Sequence, residues 1–369
     1  MKLMKTTEAV GQVLCHDITQ IIPGVKKDAV FRKGHIITKE DIPVLLSVGK
    51  DTIYIWENDE TMMHENEAAE VLYRMSACGT NSNEADAEGH CEAAESGAFG
   101  GTASKMHPSP VKEGKIEVIA DCDGLLKVDS EKLKKVNSFG EMMIATRHGN
   151  TTVKKGDKLA GTRIIPLVIK KDKLKEASNI CEDGPILDIK PFVVRKAAII
   201  TTGNEVYHGR IQDAFTPVIE KKIAEFGAQM MFHEVFDDDD QKITDGCLRA
   251  IEAGAEIVFC TGGMSVDPDD KTPLAIKNTG ARIVSYGSPV LPGAMFLLSY
   301  YDAGDRLVPI CGLPGCAMYN KRTIFDIVLP RLMARDMIYA DELAGLGEGG
   351  LCLNCDVCTF PNCGFGKGF

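Results

Sequence analysis

Residues 195–336 combine short apolar runs with amphipathic stretches in regular succession. Strand-length runs rich in apolar residues lie at 197–202, 229–236 and 256–261. In the stretch after each run, apolar residues recur every three or four positions and a glycine follows, which is the pattern of helices. This succession predicts an α/β domain. We expect its helices at 216–226, 241–253, 270–279 and 317–335, and two further strands at 294–301 and 306–311.

The part of the chain before residue 195 has less regular patterns. Residues 1–76 are predicted to form a small mixed α/β unit, with strands at 10–18 and 52–56, a capped short helix after Thr38 and an amphipathic helix at 65–75. Residues 114–194 are predicted to form a β-rich domain, with strands at 115–120, 125–128, 142–146 and 164–169 and a turn at 153–161.

Residues 77–113 separate these two regions and differ from both in composition. They are mainly Gly, Ser, Ala, Asn and Glu, and large apolar residues are almost absent. Such a segment cannot bury enough surface to offset the entropy lost on ordering. We therefore expect a flexible insertion or linker here.

The length and charge of the chain narrow the classes of function. A chain of 369 residues suggests two or three domains. Its net charge of −11 argues against a protein that coats nucleic acid or an anionic membrane, because such binding depends on basic surface. No apolar run approaches the roughly 20 residues that span a bilayer, and residues 1–10 lack the apolar core of a secretory signal. We expect a cytoplasmic protein.

Three strand-ending loops of the α/β domain carry candidate chemistry. Ligands of open α/β sheets bind beyond the carboxyl ends of the strands. The loops here are 202–205, 262–273 and 312–315. Two of them are glycine-rich and lead toward a helix, which favours binding of an anion such as a phosphate. The candidate binding residues in these loops are Gly262, Gly263, Gly312 and Gly315, with hydroxyls from Ser265 and Thr272.

Two acidic residues, Glu205 and Asp270, are expected at the same sheet edge. Carboxylates beside a phosphate are unfavourable unless a cation lies between them, and Mg²⁺ is the usual cation. The alternative for Asp270 is an N-cap of the following helix. The acidic run at 237–240 is interpreted as a solvated turn whose last Asp caps the next helix.

Four cysteines crowd the C-terminal segment 337–369. Cys352, Cys355, Cys358 and Cys363 follow the pattern C-x₂-C-x₂-C-x₄-C. This spacing is close to that of bacterial iron–sulfur proteins, and four thiolates can equally hold Zn²⁺. The alternative is a loose tail with free thiols. We interpret the segment as a metal-binding tail and hypothesise that an iron–sulfur cluster or zinc ion there couples redox state to the ligand site.

Taken in order, the loops resemble the molybdopterin-binding domain of molybdenum cofactor biosynthesis proteins. The matching segments cover about residues 195–336. They are T-T-G-N-E at 201–205, V-x-D-D at 235–238, T-G-G-M-S-V-D-P-D-D-K-T-P at 261–273, P-G-A-M at 292–295 and G-L-P-G at 312–315.

This resemblance implies a three-layer α/β/α domain that binds the pterin and its phosphate. Glu205 and Asp270 would be the catalytic or Mg²⁺-linked acids. The chain as a whole looks most like a molybdopterin molybdenumtransferase, which uses adenylylated molybdopterin and molybdate and inserts the metal as AMP leaves. A homodimer and a molybdenum or tungsten apoenzyme as partner are also implied. The cofactor-binding residues would be Thr202, Gly203, Gly262, Gly263, Ser265, Thr272, Gly312, Pro314 and Gly315.

The chain departs from the family pattern at several positions. The family's Asp-Ser-Asn is Asp213-Ala214-Phe215 here, and its Pro-Gly-Lys-Pro lacks the lysine, with Ala294 in that place. The usual C-terminal β domain is replaced by the cysteine tail. These departures keep two alternatives open. One is a non-catalytic molybdopterin carrier or maturation factor, and the other is a nucleotide-diphosphate hydrolase of the competence-damage type, which shares this domain.

Overall fold

The computed structural model describes residues 2–22, 26–55, 59–79, 105–265, 267 and 270–368. The chain divides into two compact units. One contains residues 1–121, 128–147 and 155–188, and the other contains 122–127, 148–154 and 189–369. Most of the predicted insertion at 77–113 lies outside the described residues.

The described residues form nineteen strands and ten α-helices. The strands are β1 Lys2–Lys5, β2 Ile18–Ile22, β3 Lys26–Phe31, β4 Thr52–Ile55, β5 Met62–His64, β6 Met106–Pro108, β7 Lys115–Ala120, β8 Gly124–Val128, β9 Met142–Thr146, β10 Thr151–Val153, β11 Lys158–Ile164, β12 Val168–Lys170, β13 Leu187–Lys190, β14 Lys196–Thr202, β15 Gln229–Phe236, β16 Ile257–Thr261, β17 Arg282–Tyr286, β18 Leu297–Asp302 and β19 Leu307–Leu313. The helices are α1 Asp41–Ser47, α2 Glu65–Ala77, α3 Ser130–Ser138, α4 Lys171–Asn179, α5 Asn204–Tyr207, α6 Phe215–Ala224, α7 Asp240–Glu252, α8 Thr272–Asn278, α9 Ile324–Met333 and α10 Ala340–Gly345.

The first unit is built from small antiparallel sheets. Its largest sheet has the strand order β6-β7-β11-β9, and α2 packs against β7 and β11. A separate small core near the chain start contains Leu14, Ile37, Leu45 and Ile53, all fully or almost fully buried. The strands predicted at 115–120 and 142–146 are confirmed as β7 and β9.

Other predictions for this region are wrong. The predicted turn at 153–161 overlaps β11, and the predicted strand at 164–169 is divided between β11 and β12. Helices α3 and α4 were not predicted. Each buries only one or two side chains, Val136 in α3 and Leu174 and Ala177 in α4, so the apolar period of a helix is too sparse to detect. Likewise, the strand predicted at 10–18 begins only at Ile18.

The second unit contains a six-stranded sheet with helices on both faces. Its strand order is β15-β14-β16-β19-β18-β17, in which the first four strands are parallel and the last two pair antiparallel. Ala197 and Ile199 of β14 belong to one core with α6 and α9. Ala198 and Ile200 point the other way, into a core with α7 and α8. The predicted three-layer α/β/α architecture is therefore confirmed.

Most elements of this sheet were predicted within one or two residues, with three exceptions, of which one is β18, which begins at Leu297 rather than at residue 294. Helix α9 begins at Ile324 rather than near residue 317, because Thr323 and Asp326 form a capping box that fixes the helix start. Residues 315–317 form a short 3₁₀ turn instead. Strand β17 was not predicted, and it adds an antiparallel edge.

The C-terminal tail is packed onto the second unit rather than loose. The amide of Cys352 donates to Leu291 O at 2.8 Å, and the amide of Leu291 donates to Gly350 O at 2.8 Å. Phe365 is 5% exposed within the core that holds α9, and Phe360 packs against the same core. None of the described helices listed above has both the length and the apolar character needed to cross a membrane.

Candidate functional site

The sheet of the second unit has a topological switch point between β14 and β16. The longer helix after β14, α6, packs on one face, whereas the helix after β16, α8, packs on the other. The connections that follow these neighbouring parallel strands therefore lead to opposite faces of the sheet, and we call the region where they leave its carboxyl edge the crevice. In open α/β sheets this is where ligands bind. The crevice contains the predicted loop 202–205 and the described residues 262–265, 267 and 270–273 of the second predicted loop; residues 266, 268 and 269 of that loop lie outside the described residues.

Two buried threonines hold the crevice loops together. The Oγ1 atoms of Thr202 and Thr272 lie 3.0 Å apart. Thr202 also donates to the carbonyl of Thr261 at 3.1 Å, and Thr272 donates to the carbonyl of Gly262 at 2.9 Å. Both hydroxyls thus bond within the protein and position the loops. Their predicted contact with a ligand stays a prediction.

Gly262 and Gly263 allow the two loops to touch. Their φ angles are +82° and +54°. A Cβ atom on Gly262 would lie 2.1 Å from the carbonyl oxygen of Thr202, and one on Gly263 would lie 2.8 Å from Thr272 Oγ1. No side chain fits the first position, so glycine is required where this turn approaches the Thr202 carbonyl.

Asp270 is oriented by its own loop and does not cap α8. Its Oδ2 atom accepts a hydrogen bond from the amide of Ser265 at 2.7 Å. Helix α8 starts at Thr272 with Lys271 as its N-cap residue. The N-cap alternative for Asp270 is therefore wrong. Asp270 is half-buried, and one carboxylate oxygen is fixed while Ser265 itself is exposed.

Tyr286 is a crevice residue that sequence reasoning missed. Its hydroxyl donates to the carbonyl of Met264 at 3.3 Å. Burial raises the pKa of Tyr286, and the negative charge of Asp270 raises it further. Tyr286 ends β17, which was not predicted, so no sequence signal pointed to it.

Glu205 lies on the same edge but apart from Asp270. It is exposed in the short helix α5, and its Oε2 atom would be 3.3 Å from a Cβ on Gly203. Within the described ranges, no hydrogen bond or ion pair joins Glu205 to Asp270, and no three His, Cys, Asp or Glu side chains are placed to hold one metal ion. A Mg²⁺ ion at this edge would need oxygens from the ligand and from water for most of its shell.

The third predicted loop differs from expectation. Gly312 lies inside β19, where a Cβ atom would be 2.5 Å from the side chain of Met264 in the neighbouring loop. Pro314 is buried, and Gly315 is exposed with nothing within 4 Å of the place of a Cβ. Because α9 begins only at Ile324, this loop does not lead directly into a helix. Gly315 remains the accessible position.

A polar cluster at the end of β14 was also missed as a site. Asp213 accepts hydrogen bonds from the hydroxyls of Thr201 at 2.9 Å and Thr216 at 2.6 Å. His233 Nε2 lies 3.5 Å from the Asp213 carboxylate. Burial alone would raise the pKa of Asp213, but the hydrogen bonds from Thr216, Thr201 and Phe215 outweigh it and lower that pKa. The only sequence signal was the position of Asp213 before α6.

The four tail cysteines do not form a metal centre in this structure. Cys355, Cys358 and Cys363 are exposed and Cys352 is half-buried, and no three of these described thiols are placed to ligate one ion. Lys321 instead donates to the carbonyls of Cys355 and Asp356 at 3.3 and 3.1 Å. The predicted iron–sulfur or zinc site does not fit the tail as folded.

The acidic run at 237–240 is a turn, as interpreted. Asp239, rather than the last Asp, caps α7 by accepting from the amides of Gln241 and Lys242 at 3.0 and 3.1 Å. Asp237 pairs with the side chain of Lys242 at 2.8 Å. These carboxylates stabilise the start of the helix.

Comparison with known proteins supports the resemblance drawn from the motifs. Residues 198–334 match the family described as "Probable molybdopterin binding domain". Residues 3–57 match a family described as "Domain of unknown function (DUF8806)". The segment 198–334 is therefore similar to molybdopterin-binding domains of the molybdenum cofactor biosynthesis type.

Similar proteins match only part of the chain. A competence-damage inducible protein of Bacillus velezensis is 29% identical over 90 residues, which cover 24% of this chain and 21% of that protein. A molybdopterin molybdenumtransferase of Staphylococcus epidermidis is 26% identical over 159 residues, 41% of this chain and 38% of that protein. The chain thus matches less than half the length of either relative. Among solved structures, the tungsten cofactor synthesizing protein MoaB from Pyrococcus furiosus has a TM-score of 0.30 at 18% identity, over 38% of this chain and 89% of that one.

Proposed function

We propose that the crevice between β14 and β16 binds adenylylated molybdopterin and that the chain inserts molybdate into its dithiolene. The observation that carries this proposal is the pair of strand-ending loops held in contact by Thr202 and Thr272 at 3.0 Å. Their glycine backbone lies at a switch point, where an anionic ligand is expected.

In this proposal the loop backbone binds the phosphate. The half-buried turn at Gly262 and Gly263 would donate peptide N–H groups to the phosphate, and the exposed Ser265 would offer a hydroxyl beside them. Gly203, Gly312, Pro314 and Gly315 border the same edge. The hydroxyl of Thr261 is buried and has no hydrogen-bond partner among the described residues. A polar ligand atom that reaches the end of β16 would satisfy it.

Asp270 is the proposed catalytic acid of the crevice, and Glu205 is the second candidate. Asp270 keeps one carboxylate oxygen on the Ser265 amide, so the other can face the ligand. Mg²⁺ held by Asp270 and by ligand phosphate oxygens would neutralise the charge that otherwise repels this carboxylate. Molybdate is the second substrate, and AMP is the leaving product.

The discriminating experiment is a single turnover with the full chain, adenylylated molybdopterin, Mg²⁺ and molybdate. We expect AMP release coupled to pterin-bound molybdenum. Asp270→Asn should abolish turnover but spare pterin binding, and Asp172→Asn, on the exposed face of α4, is the matched control. Normal turnover by Asp270→Asn would refute its role.

Two other outcomes would identify the alternatives. Tight pterin binding without either product would make the chain a carrier or maturation factor. The competence-damage relatives favour a further candidate, and release of AMP from ADP without any molybdenum dependence would indicate that hydrolase instead. A homodimer and a molybdenum or tungsten apoenzyme partner belong to the same proposal, and light scattering with and without the apoenzyme tests them.

A further inference from the structure

A cavity in the first unit lies outside the crevice and the tail. Its volume is about 570 Å³. Side chains of β2, β3, the turn after β3, the first turn of α2 and the loop at 110–113 line it. Part of this wall lies within residues 3–57, which match a domain of unknown function.

Most polar groups of the wall are already bonded within the protein. His64 Nε2 bonds the carbonyl of Cys15 at 2.8 Å. The side-chain oxygen of Asn66 accepts from the amide of Gly114 at 3.1 Å. These bonds fix the shape of the cavity. Two more wall bonds join Asp17 to the amide of Lys33 at 2.7 Å and the Thr19 hydroxyl to Glu113 at 2.9 Å.

Two polar groups of the inner wall are exceptions. One is the buried Nδ1 atom of His16, which has no hydrogen-bond partner among the described residues. The other is Glu65, which is the first residue of α2 and is half-buried. In the part of the chain that the structure describes, its carboxyl has no hydrogen bond or ion pair. The loop above it is close, since a Cβ on Gly114 would lie 2.6 Å from Glu65 Oε2. Burial raises the pKa of Glu65, so the carboxylate gains from a ligand that donates hydrogen bonds to it.

Two positively charged side chains lie at the rim of the cavity, whereas Glu65 on its inner wall is acidic. Arg32 and Lys112 are exposed, and no ion pair of the described residues includes either side chain. A simple anion is nevertheless a poor ligand, because acidic side chains outnumber cationic ones around the cavity. The acids are Asp17, Asp28, Glu65 and Glu113, and the cations are Arg32, Lys33 and Lys112.

We propose that this cavity binds a small molecule that carries an amidine-type edge, an N–H beside an NH₂ group, together with an acidic group. The Glu65 carboxylate accepts the two N–H hydrogen bonds, as carboxylates do from forked donors. Arg32 and Lys112 bind the acidic group. Two sources offer this chemistry: a guanidinium zwitterion and a pterin that bears a carboxylate.

The proposal stands apart from the function of the crevice, and the probes are chosen accordingly. The full chain is titrated with L-arginine by calorimetry and with pterin-6-carboxylate by fluorescence. Lumazine-6-carboxylate, which has a carbonyl in place of the NH₂ group, is the matched probe. We expect the native chain to bind at least one of the first two probes and to bind lumazine-6-carboxylate at least tenfold more weakly.

Variants locate the binding. Glu65→Gln should weaken binding of the probe at least tenfold. The double variant Arg32→Gln with Lys112→Gln should weaken it by a similar factor, and it tests the proposal even if Glu65→Gln does not fold. Glu70→Gln, exposed on the same helix, should leave binding unchanged. If Glu65→Gln weakens only the binding of arginine, the ligand is of the guanidinium zwitterion class. If it weakens only the binding of pterin-6-carboxylate, the ligand is of the carboxylate-bearing pterin class.

Three results would overturn the proposal. They are absence of binding by both probes, lumazine-6-carboxylate bound as tightly as the pterin, and pterin binding that survives Glu65→Gln but is lost in Gly315→Asp. The last result would assign the probe to the crevice of the second unit, and so would leave the proposed function intact.

Discussion

Removal of the threonine hydroxyls that join the crevice loops should loosen the site by a measurable amount. Thr272→Val keeps the shape but removes the donor to the Gly262 carbonyl at 2.9 Å and the contact with Thr202 at 3.0 Å. A buried carbonyl that loses its hydrogen-bond donor lowers the free energy of unfolding by about 1–3 kcal/mol. Thr202→Val removes the bond to the Thr261 carbonyl and should cost a similar amount.

The two hydroxyls share one network, so the double variant should cost less than the sum of the single changes. We expect a coupling free energy of about 1 kcal/mol. Urea unfolding followed by circular dichroism measures all four proteins, and adenylylated molybdopterin binding should weaken in each variant. Thr279→Val is the control, because it loses a bond to the Ile276 carbonyl at the far end of α8. It should destabilise the chain without weakening pterin binding. Additive costs, or unchanged pterin binding in Thr272→Val, would refute the reasoning.

Three further predictions concern backbone space, charge and the tail. Gly262→Ala should abolish pterin binding and destabilise the second unit, since its Cβ would lie 2.1 Å from the Thr202 carbonyl oxygen. Urea unfolding and pterin-binding assays test this prediction, and normal pterin binding would contradict it. Asp336 is buried, which would raise its pKa, but ion pairs with Lys127, Lys190 and Arg331 hold the pKa at about 2. Because this pKa is depressed from 3.8, the ionised carboxylate adds about 2.5 kcal/mol to the free energy of unfolding above pH 4, and this stabilisation is lost as the pH falls toward 2. Asp336→Asn should remove this part of the acid dependence when unfolding is measured against pH. Phe360→Ala should lower the free energy of unfolding by about 1–3 kcal/mol and expose the tail to proteolysis, because the ring packs on the core and lies 5.1 Å from the Arg322 guanidinium. An unchanged rate of cleavage in the tail would contradict this prediction.

The sequence patterns predicted the second unit well because its central strands β14 and β16 are buried on both faces, whereas the edge strand β15 alternates exposed and half-buried positions. Strand β15 was placed at its observed limits, and β14, β16, α6, α7 and α8 within two residues. Such strands and helices carry dense apolar signals. Helices α3 and α4 bury too few side chains to show a period, and they were missed.

The candidate site was predictable only where it follows strand ends. The loops at 202–205 and 262–273 come together as expected, because the carboxyl ends of parallel strands share one edge. Sequence could not show that the hydroxyls of Thr202 and Thr272 lie in contact or that the Tyr286 hydroxyl bonds the Met264 carbonyl. Those contacts depend on tertiary placement of β17 and of the loop turns.

The spacing of the four tail cysteines does not determine where their thiols lie in the folded chain. Four closely spaced cysteines predicted a metal site, but a folded tail places each thiol by its neighbours. Phe360 and Phe365 are drawn into the core, and Lys321 holds the carbonyl of Cys355. The thiols between these anchors face solvent and do not converge.

The central claim is that the crevice at the carboxyl edge binds an anionic pterin, and a matched pair of glycine substitutions tests it most directly. Gly315 and Gly364 are both exposed, and neither has any atom within 4 Å of the place of a Cβ. Gly315→Asp adds a negative charge beside the proposed phosphate site, and Gly364→Asp adds the same charge on the tail. A like charge about 5 Å away in partly screened surroundings costs roughly 1–2 kcal/mol. Equilibrium dialysis with adenylylated molybdopterin should therefore show about tenfold weaker binding for Gly315→Asp and native affinity for Gly364→Asp. Equal affinity of the two variants would contradict the account.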